Sequence, residues 1–249
     1  MLALAAANPD WLHTFKPFGP MHAVVLLAFI LLTGGSILLA RRHARTPRER
    51  TLRRVLSILV WITALANLVW YALPMNFSWD KALPLQMCDI AVFCAAITLG
   101  PAWRPCRNLL FFWGLLLSSQ GLITPVLEVG PAHMRFWLFW SLHFAIVGVA
   151  LYDVFALGFR PRLTDLRFAF IANFIYAALV LAIDIPYKLN YGYIGPSKPN
   201  APTIIDSLGP WPLRILWMFL IVMTLQALAW ACFAGARRSA RIPSPGTNP

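Results

Sequence analysis

The feature that most constrains this chain is the recurrence of apolar stretches long enough to cross a lipid bilayer. A spanning helix needs about 20 mostly apolar residues, because the hydrocarbon core is ~30 Å thick and each helical residue rises ~1.5 Å. Seven stretches approach that length, at roughly 20–40, 55–73, 84–100, 108–126, 136–158, 168–186 and 213–235. The chain is 59% hydrophobic, only 12% charged and has a mean hydropathy of +0.67, far from the make-up of a soluble domain. In lipid every backbone N–H and C=O must find a partner within its own segment, so each stretch is expected as a helix. The expected fold is all-α: a polytopic membrane protein with a bundle of seven transmembrane helices over 20–235. An extracytoplasmic, interfacial N-terminus is expected over 1–19 and a disordered basic cytoplasmic tail over 236–249.

The start, MLALAAANPDWLHTF, has no basic segment before its short apolar run, so it is read as retained rather than cleaved. Trp11 and Phe15 are expected there as interfacial anchors. The formal charge of +12 would suit a nucleic-acid binder, but its distribution argues otherwise. Arg41, Arg42, Arg45, Arg48, Arg50, Arg53 and Arg54 fill the first connection, and further arginines lie in the third, the fifth and the tail. That places 15 basic residues on one side and 6 on the other. The positive-inside rule then sets the N-terminus outside and the C-terminus in the cytoplasm. The arginine loops are expected to meet anionic lipid headgroups, and no nucleic-acid partner is expected.

Four cysteines show no CxxC spacing and no disulfide framework, and each is by default a small buried hydrophobe. Neither HxxxH nor HxxE spacing occurs, nor a phosphate loop, dinucleotide fingerprint or GxSxG, so no metal and no cofactor are expected. One connection is long: Tyr187 to Pro212, rich in Gly, Pro, Asn and Tyr, is expected as an ordered outer loop.

Polar groups inside spans are costly, and each is a functional candidate until a structural role is found. Cys88 and Asp89 open the third span just after Gln86, Gln120 lies near the outer end of the fourth, and His143 is about two turns into the fifth. Asp184 closes the sixth. These groups fall in the outer half of the bilayer, as the wall of a pocket with an outward mouth would. A thiol becomes a nucleophile when an imidazole takes its proton, which makes Cys88 with His143 the candidate catalytic pair. The plainer reading is that Cys88 packs and His143 makes one structural hydrogen bond. Asp89 fits either the third member of a triad or a first-turn acid favoured by the helix dipole. Gln86, Asp89, Gln120, Asp184, Asn190, Lys198 and Asp206 are the candidate substrate-binding residues. Charged members of the outer loop also suit simple exposed ion pairs.

Four stretches resemble the YwaF-like family of bacterial integral membrane proteins: LPLQMCD at Leu83–Asp89, FFWGLLLSSQGLITP at Phe111–Pro125, RFWLFWSLHF at Arg135–Phe144, and the loop ending in DSLGPWP. The family is similar to a eukaryotic cysteine-centred acyltransferase of ether phospholipids. That resemblance implies a nucleophile at Cys88 and a histidine at His143. Gln86 stands where the family commonly has a histidine, and Leu142-His143-Phe144 replaces a more polar run.

The leading expectation is a multi-pass protein of a bacterial inner (plasma) membrane that acts on lipids as a cysteine-dependent acyltransferase, transacylase or lipase. Gln120 or Asn190 would donate to the developing oxyanion. Rival expectations are a small ion-coupled transporter, using Asp184 or His143 as a protonatable group, and a lipid-binding protein without catalysis.

Overall fold

The computed structural model describes residues 10–196 and 204–239. The short helix α1 (Asp10–His13) is followed by α2 (Pro20–Arg42), α3 (Pro47–Ala72), α4 (Trp79–Ala82) and α5 (Met87–Leu99). Then come α6 (Arg104–Leu109), α7 (Gln120–Ile123), α8 (Met134–Phe155), α9 (Leu163–Tyr187) and α10 (Leu213–Ser239). Among the described residues no strand forms, and Thr14 and Val129 make an isolated antiparallel bridge. Among the described residues six segments are long and apolar enough to cross a membrane: Pro20–Arg42, Pro47–Ala72, Trp79–Leu99, Met134–Phe155, Leu163–Tyr187 and Leu213–Gly235.

The stretch at 108–126, expected as one helix, is instead broken. Pro105 starts α6 at a position where its missing N–H costs nothing. Over Leu110–Leu115 the helix then widens to i→i−5 bonding, a π-helix. The N–H groups of Leu117 and Ser118 both reach the Trp113 carbonyl, at 3.1 and 2.8 Å, and a turn leads into α7. Gly114, the Ser118-Ser119 pair, Gly121 and Pro125 give this stretch little helical bias to resist the break.

The chain divides into two compact units. The first comprises residues 1–77 and 87–158, and the second comprises 78–86 and 159–249. In the first, α5 packs against α3 and α8 through Ala91, Ala95 and Ala96, whose small side chains let backbones approach. Phe15 is not an interfacial anchor: at 3% exposure it packs edge-on to His22 and Trp140, while Trp11 is exposed. Val24, Leu27, Ile30 and Leu31 of α2 are all exposed, which for side chains this apolar means contact with lipid.

At one end of this unit the Tyr152 hydroxyl donates to Glu49 at 3.2 Å, and Glu49 also meets Arg53 at 3.6 Å. Nearby in sequence, Arg107 clasps Asp153 with its Nε 3.0 Å from both carboxylate oxygens. Cys94 and Cys106 are both buried free cysteines.

In the second unit α9 and α10 are joined at mid-span by Asn173 Nδ2 donating to Gln226 Oε1 at 2.9 Å. Helix α10 runs on to Ser239, into the stretch expected to be disordered, while the tail from 240, the start of the chain and Lys198 lie outside the described residues.

Candidate functional site

Cys88 is the second residue of α5, and Pro84 with Leu85 precedes it in non-helical chain, so the thiol sits where the helix begins. His143 lies in α8, and its Nε2 is 3.7 Å from Cys88 Sγ. The other ring nitrogen, Nδ1, is 2.8 Å from the Phe139 carbonyl one turn earlier. A carbonyl can only accept, so Nδ1 carries the proton and Nε2 presents a lone pair to the thiol. This is the tautomer a general base needs. It is enforced by the histidine's own helix rather than by a carboxylate.

The nitrogen a triad acid would orient is already taken by Phe139, whereas Asp89 stands in the first turn of α5, where an acid complements the helix dipole.

A third group, not singled out from the sequence, completes the site. Ser118 Oγ is 3.4 Å from Cys88 Sγ, and Ser118 is 3% exposed. The imidazole is closely walled: the Phe139 ring lies 4.3 Å away between centroids, and the backbone at Gly121 also comes close to the ring. A Cβ at Gly121 would lie 2.1 Å from His143 Cδ2 and 2.2 Å from Nε2, so only glycine leaves the ring its place. Behind that turn His22 accepts the Phe18 N–H at Nδ1, 3.0 Å away, and its Nε2 donates to the Leu122 carbonyl at 2.8 Å. His22 thus ties the start of α2 to the residue beside Gly121. Its Leu122 partner lies in the short helix that follows the break in the fourth stretch.

Gln120 is exposed, and its side-chain oxygen accepts the Thr124 hydroxyl at 3.3 Å. That contact is local, one helical turn along the chain.

The remaining candidates belong to the second unit, where Gln86 and Asp206 have side-chain partners within that unit. Gln86 Oε1 accepts the Gly192 N–H at 2.9 Å. Gly192 has a φ of 60° and lies so near the Tyr176 hydroxyl that any Cβ would clash with it. Tyr176 in turn donates to the Leu85 carbonyl at 2.8 Å, and the Tyr191 hydroxyl bonds both the Trp79 carbonyl and the Leu83 N–H. Gln86 therefore belongs to a stitch holding 79–86 against the turn at 191–193. Asn190 is half-buried just before that turn. Asp184 is fully buried near the end of α9, where its backbone carbonyl accepts the Leu189 N–H at 3.0 Å.

Asp206 pairs with Arg214, a residue 1% exposed that also donates to the Gly195 carbonyl at 2.6 Å. This replaces the exposed lysine–aspartate pairing that the outer loop suggested. Among the described residues no group of three His, Cys, Asp or Glu is arranged to hold a metal ion.

Compared with known proteins, residues 17–230 match the model of the TMEM164 family, a different name from the YwaF-like family its motifs resemble. No curated protein and no solved structure matches the chain.

Proposed function

The chain belongs to the TMEM164 family of membrane proteins, and from that premise we propose that it is a polytopic membrane enzyme that moves acyl groups between lipids. The observation that carries the reading is the fixed tautomer of His143, with Nδ1 given to Phe139 and Nε2 facing the Cys88 sulfur. In the proposed reaction Nε2 takes the thiol proton as Sγ attacks an ester carbonyl. The ester C–O bond breaks, the imidazolium returns the proton to the departing alcohol, and a thioester remains on Cys88. A lipid hydroxyl then accepts the acyl group, giving a transacylase, or water does, giving a lipase. Gln120 would supply an oxyanion donor, and Asp89 would contribute to binding the lipid.

The bundle is proposed to make seven passes, the broken stretch being the fourth, with the N-terminus outside in a bacterial plasma membrane. Cys88 and His143 lie toward the end of the first unit away from the arginine-rich connection between α2 and α3, which supports an outward-facing site. Such a site has no access to cytosolic acyl-CoA, so the donor is itself a lipid. Arg41, Arg42, Arg45, Arg48, Arg50 and Arg54 are exposed, which supports their contact with anionic headgroups of the inner leaflet. Labelling that puts residue 45 outside would remove this part of the reading. The carrier alternative is disfavoured because Asp153, the acid best placed to continue a proton path, is held by Arg107.

The test is to incubate the purified protein in phospholipid vesicles and look by mass spectrometry for an acyl group on residue 88 that hydroxylamine removes. Wild type should carry it, Cys88→Ala should lack it, and His143→Ala should form it at least tenfold more slowly. An acyl adduct that persists in Cys88→Ala, or none in wild type with any lipid donor, would sink the proposal.

A further inference from the structure

The hydroxyls of this protein's helices mostly turn back on their own chain. Ser36 donates to Leu32 O at 2.7 Å, Thr51 to Pro47 O at 3.1 Å and Ser141 to Leu138 O at 3.1 Å, the usual way a hydroxyl in an apolar helix satisfies itself. Ser118 does something else: its oxygen accepts the Cys88 thiol, which comes from another helix, at 3.4 Å. The cause is the π-helical offset. Because the Ser118 N–H bonds five residues back to Trp113, the chain at this point has one residue more per turn than an α-helix. That extra residue rotates everything after it by about 100° relative to a regular helix. The break is thus the device that aims Ser118 at the thiol and seats Gly121 against His143.

We infer that Ser118 is a positioning residue of this site, whose hydroxyl holds the Cys88 thiolate in line for attack once His143 has taken its proton. The inference rests on the cysteine–histidine reading and deepens it. In the resting state the thiol proton is donated to the Ser118 oxygen, with His143 Nε2 3.7 Å from the same sulfur. When it moves to His143 Nε2, the sulfur becomes an acceptor only, and the Ser118 O–H rotates to donate to it. Two donors, the imidazolium N–H and the serine O–H, then flank one sulfur. A hydrogen bond to an ionised acceptor is about twice as strong as a neutral one, so the serine favours the thiolate over the thiol. Ser118 gives up no proton and forms no covalent bond. The sulfur's electron pair goes to the carbonyl carbon, and the proton on His143 goes to the leaving alcohol.

The experiment is the pH dependence of alkylation of residue 88 by an uncharged maleimide, read by mass spectrometry on the full chain in vesicles. Wild type is compared with Ser118→Ala, His143→Ala, and the pair Ser118→Thr and Ser118→Val. Threonine and valine have nearly the same shape, so any cost of crowding is common to both and their difference reports the hydroxyl alone. The profile of Ser118→Ala should move up by about one pH unit, which is about tenfold slower alkylation below the midpoint. Ser118→Val should lie with alanine, and Ser118→Thr with wild type. Coincident profiles for threonine and valine would overturn the role of Ser118. If His143→Ala is still shifted in that case, the cysteine–histidine pair stands without the serine. If no variant shifts the profile, both readings fall.

Discussion

At the scale of single residues the site is decided by what fits against one imidazole. His143 is held through Nδ1 by its own helix, faced by Phe139, and touched by a turn that tolerates no side chain at position 121. Gly121→Ala would ordinarily favour a helix, since alanine costs less backbone entropy than glycine. Here the added methyl would occupy space now filled by Cδ2 and Nε2 of His143. The ring must swing, and overpacking of this kind costs about 1–3 kcal/mol. The expected outcome is a protein that stays helical but alkylates at residue 88 as slowly as His143→Ala. A Gly121→Ala variant that keeps the wild-type alkylation profile would show that the turn and the ring can separate freely. Half of this arrangement was legible in the sequence. Cys88 and His143 stood out because a thiol and an imidazole at matched depth in apolar helices need a reason to be there. Ser118 and Gly121 did not, because their faces depend on a helix that periodicity draws as continuous and the chain builds with an interruption.

At the scale of elements, the long helices followed from length and apolarity, and the departures came wherever a polar residue found an unexpected partner. Asp153 is an acid within α8, and Arg107 of α6 reaches it with Nε and with Nη2, the latter at 2.7 Å. Asp206 looked like a loop charge, yet it is matched to the buried Arg214. Neither partnership is readable from spacing, because each joins residues brought near only by the fold. The Arg107–Asp153 pair fixes the start of the broken stretch to the end of α8. Asp153 is 2% exposed, so removing only the arginine strands a buried charge, which typically costs about 3–5 kcal/mol. Replacing both partners with apolar residues of similar volume is often neutral. Arg107→Met should therefore lower the thermal unfolding midpoint in detergent markedly, and Arg107→Met with Asp153→Leu should recover most of the loss. A double variant no better than Arg107→Met would mean the carboxylate serves something other than this pair.

At the scale of the whole molecule, the question is which way the first unit faces, because that decides the chemistry available to the site. Helix α3 offers the ruler: its 26 residues span about 39 Å, enough to carry its ends to opposite surfaces of a bilayer. Arg45 is exposed just before its start, among the clustered arginines, and Met75 is 82% exposed just after its end. In the proposed orientation the first lies in the cytoplasm and the second outside. The bonds within the unit agree on how its elements run. Glu49 near the start of α3 meets Tyr152 near the end of α8, whereas His22 near the start of α2 meets Leu122 beside the site. Cys88 at the start of α5 therefore belongs with the end that carries Met75. With a membrane-impermeant maleimide on intact cells, Met75→Cys should label at once and Arg45→Cys only after permeabilisation. The reverse pattern would turn the site toward the cytosol, where acyl-CoA is present. The thioester on Cys88 would then be expected from acyl-CoA as readily as from a phospholipid, and the argument for a lipid-to-lipid transfer would lose its basis while the cysteine–histidine geometry stayed as it is.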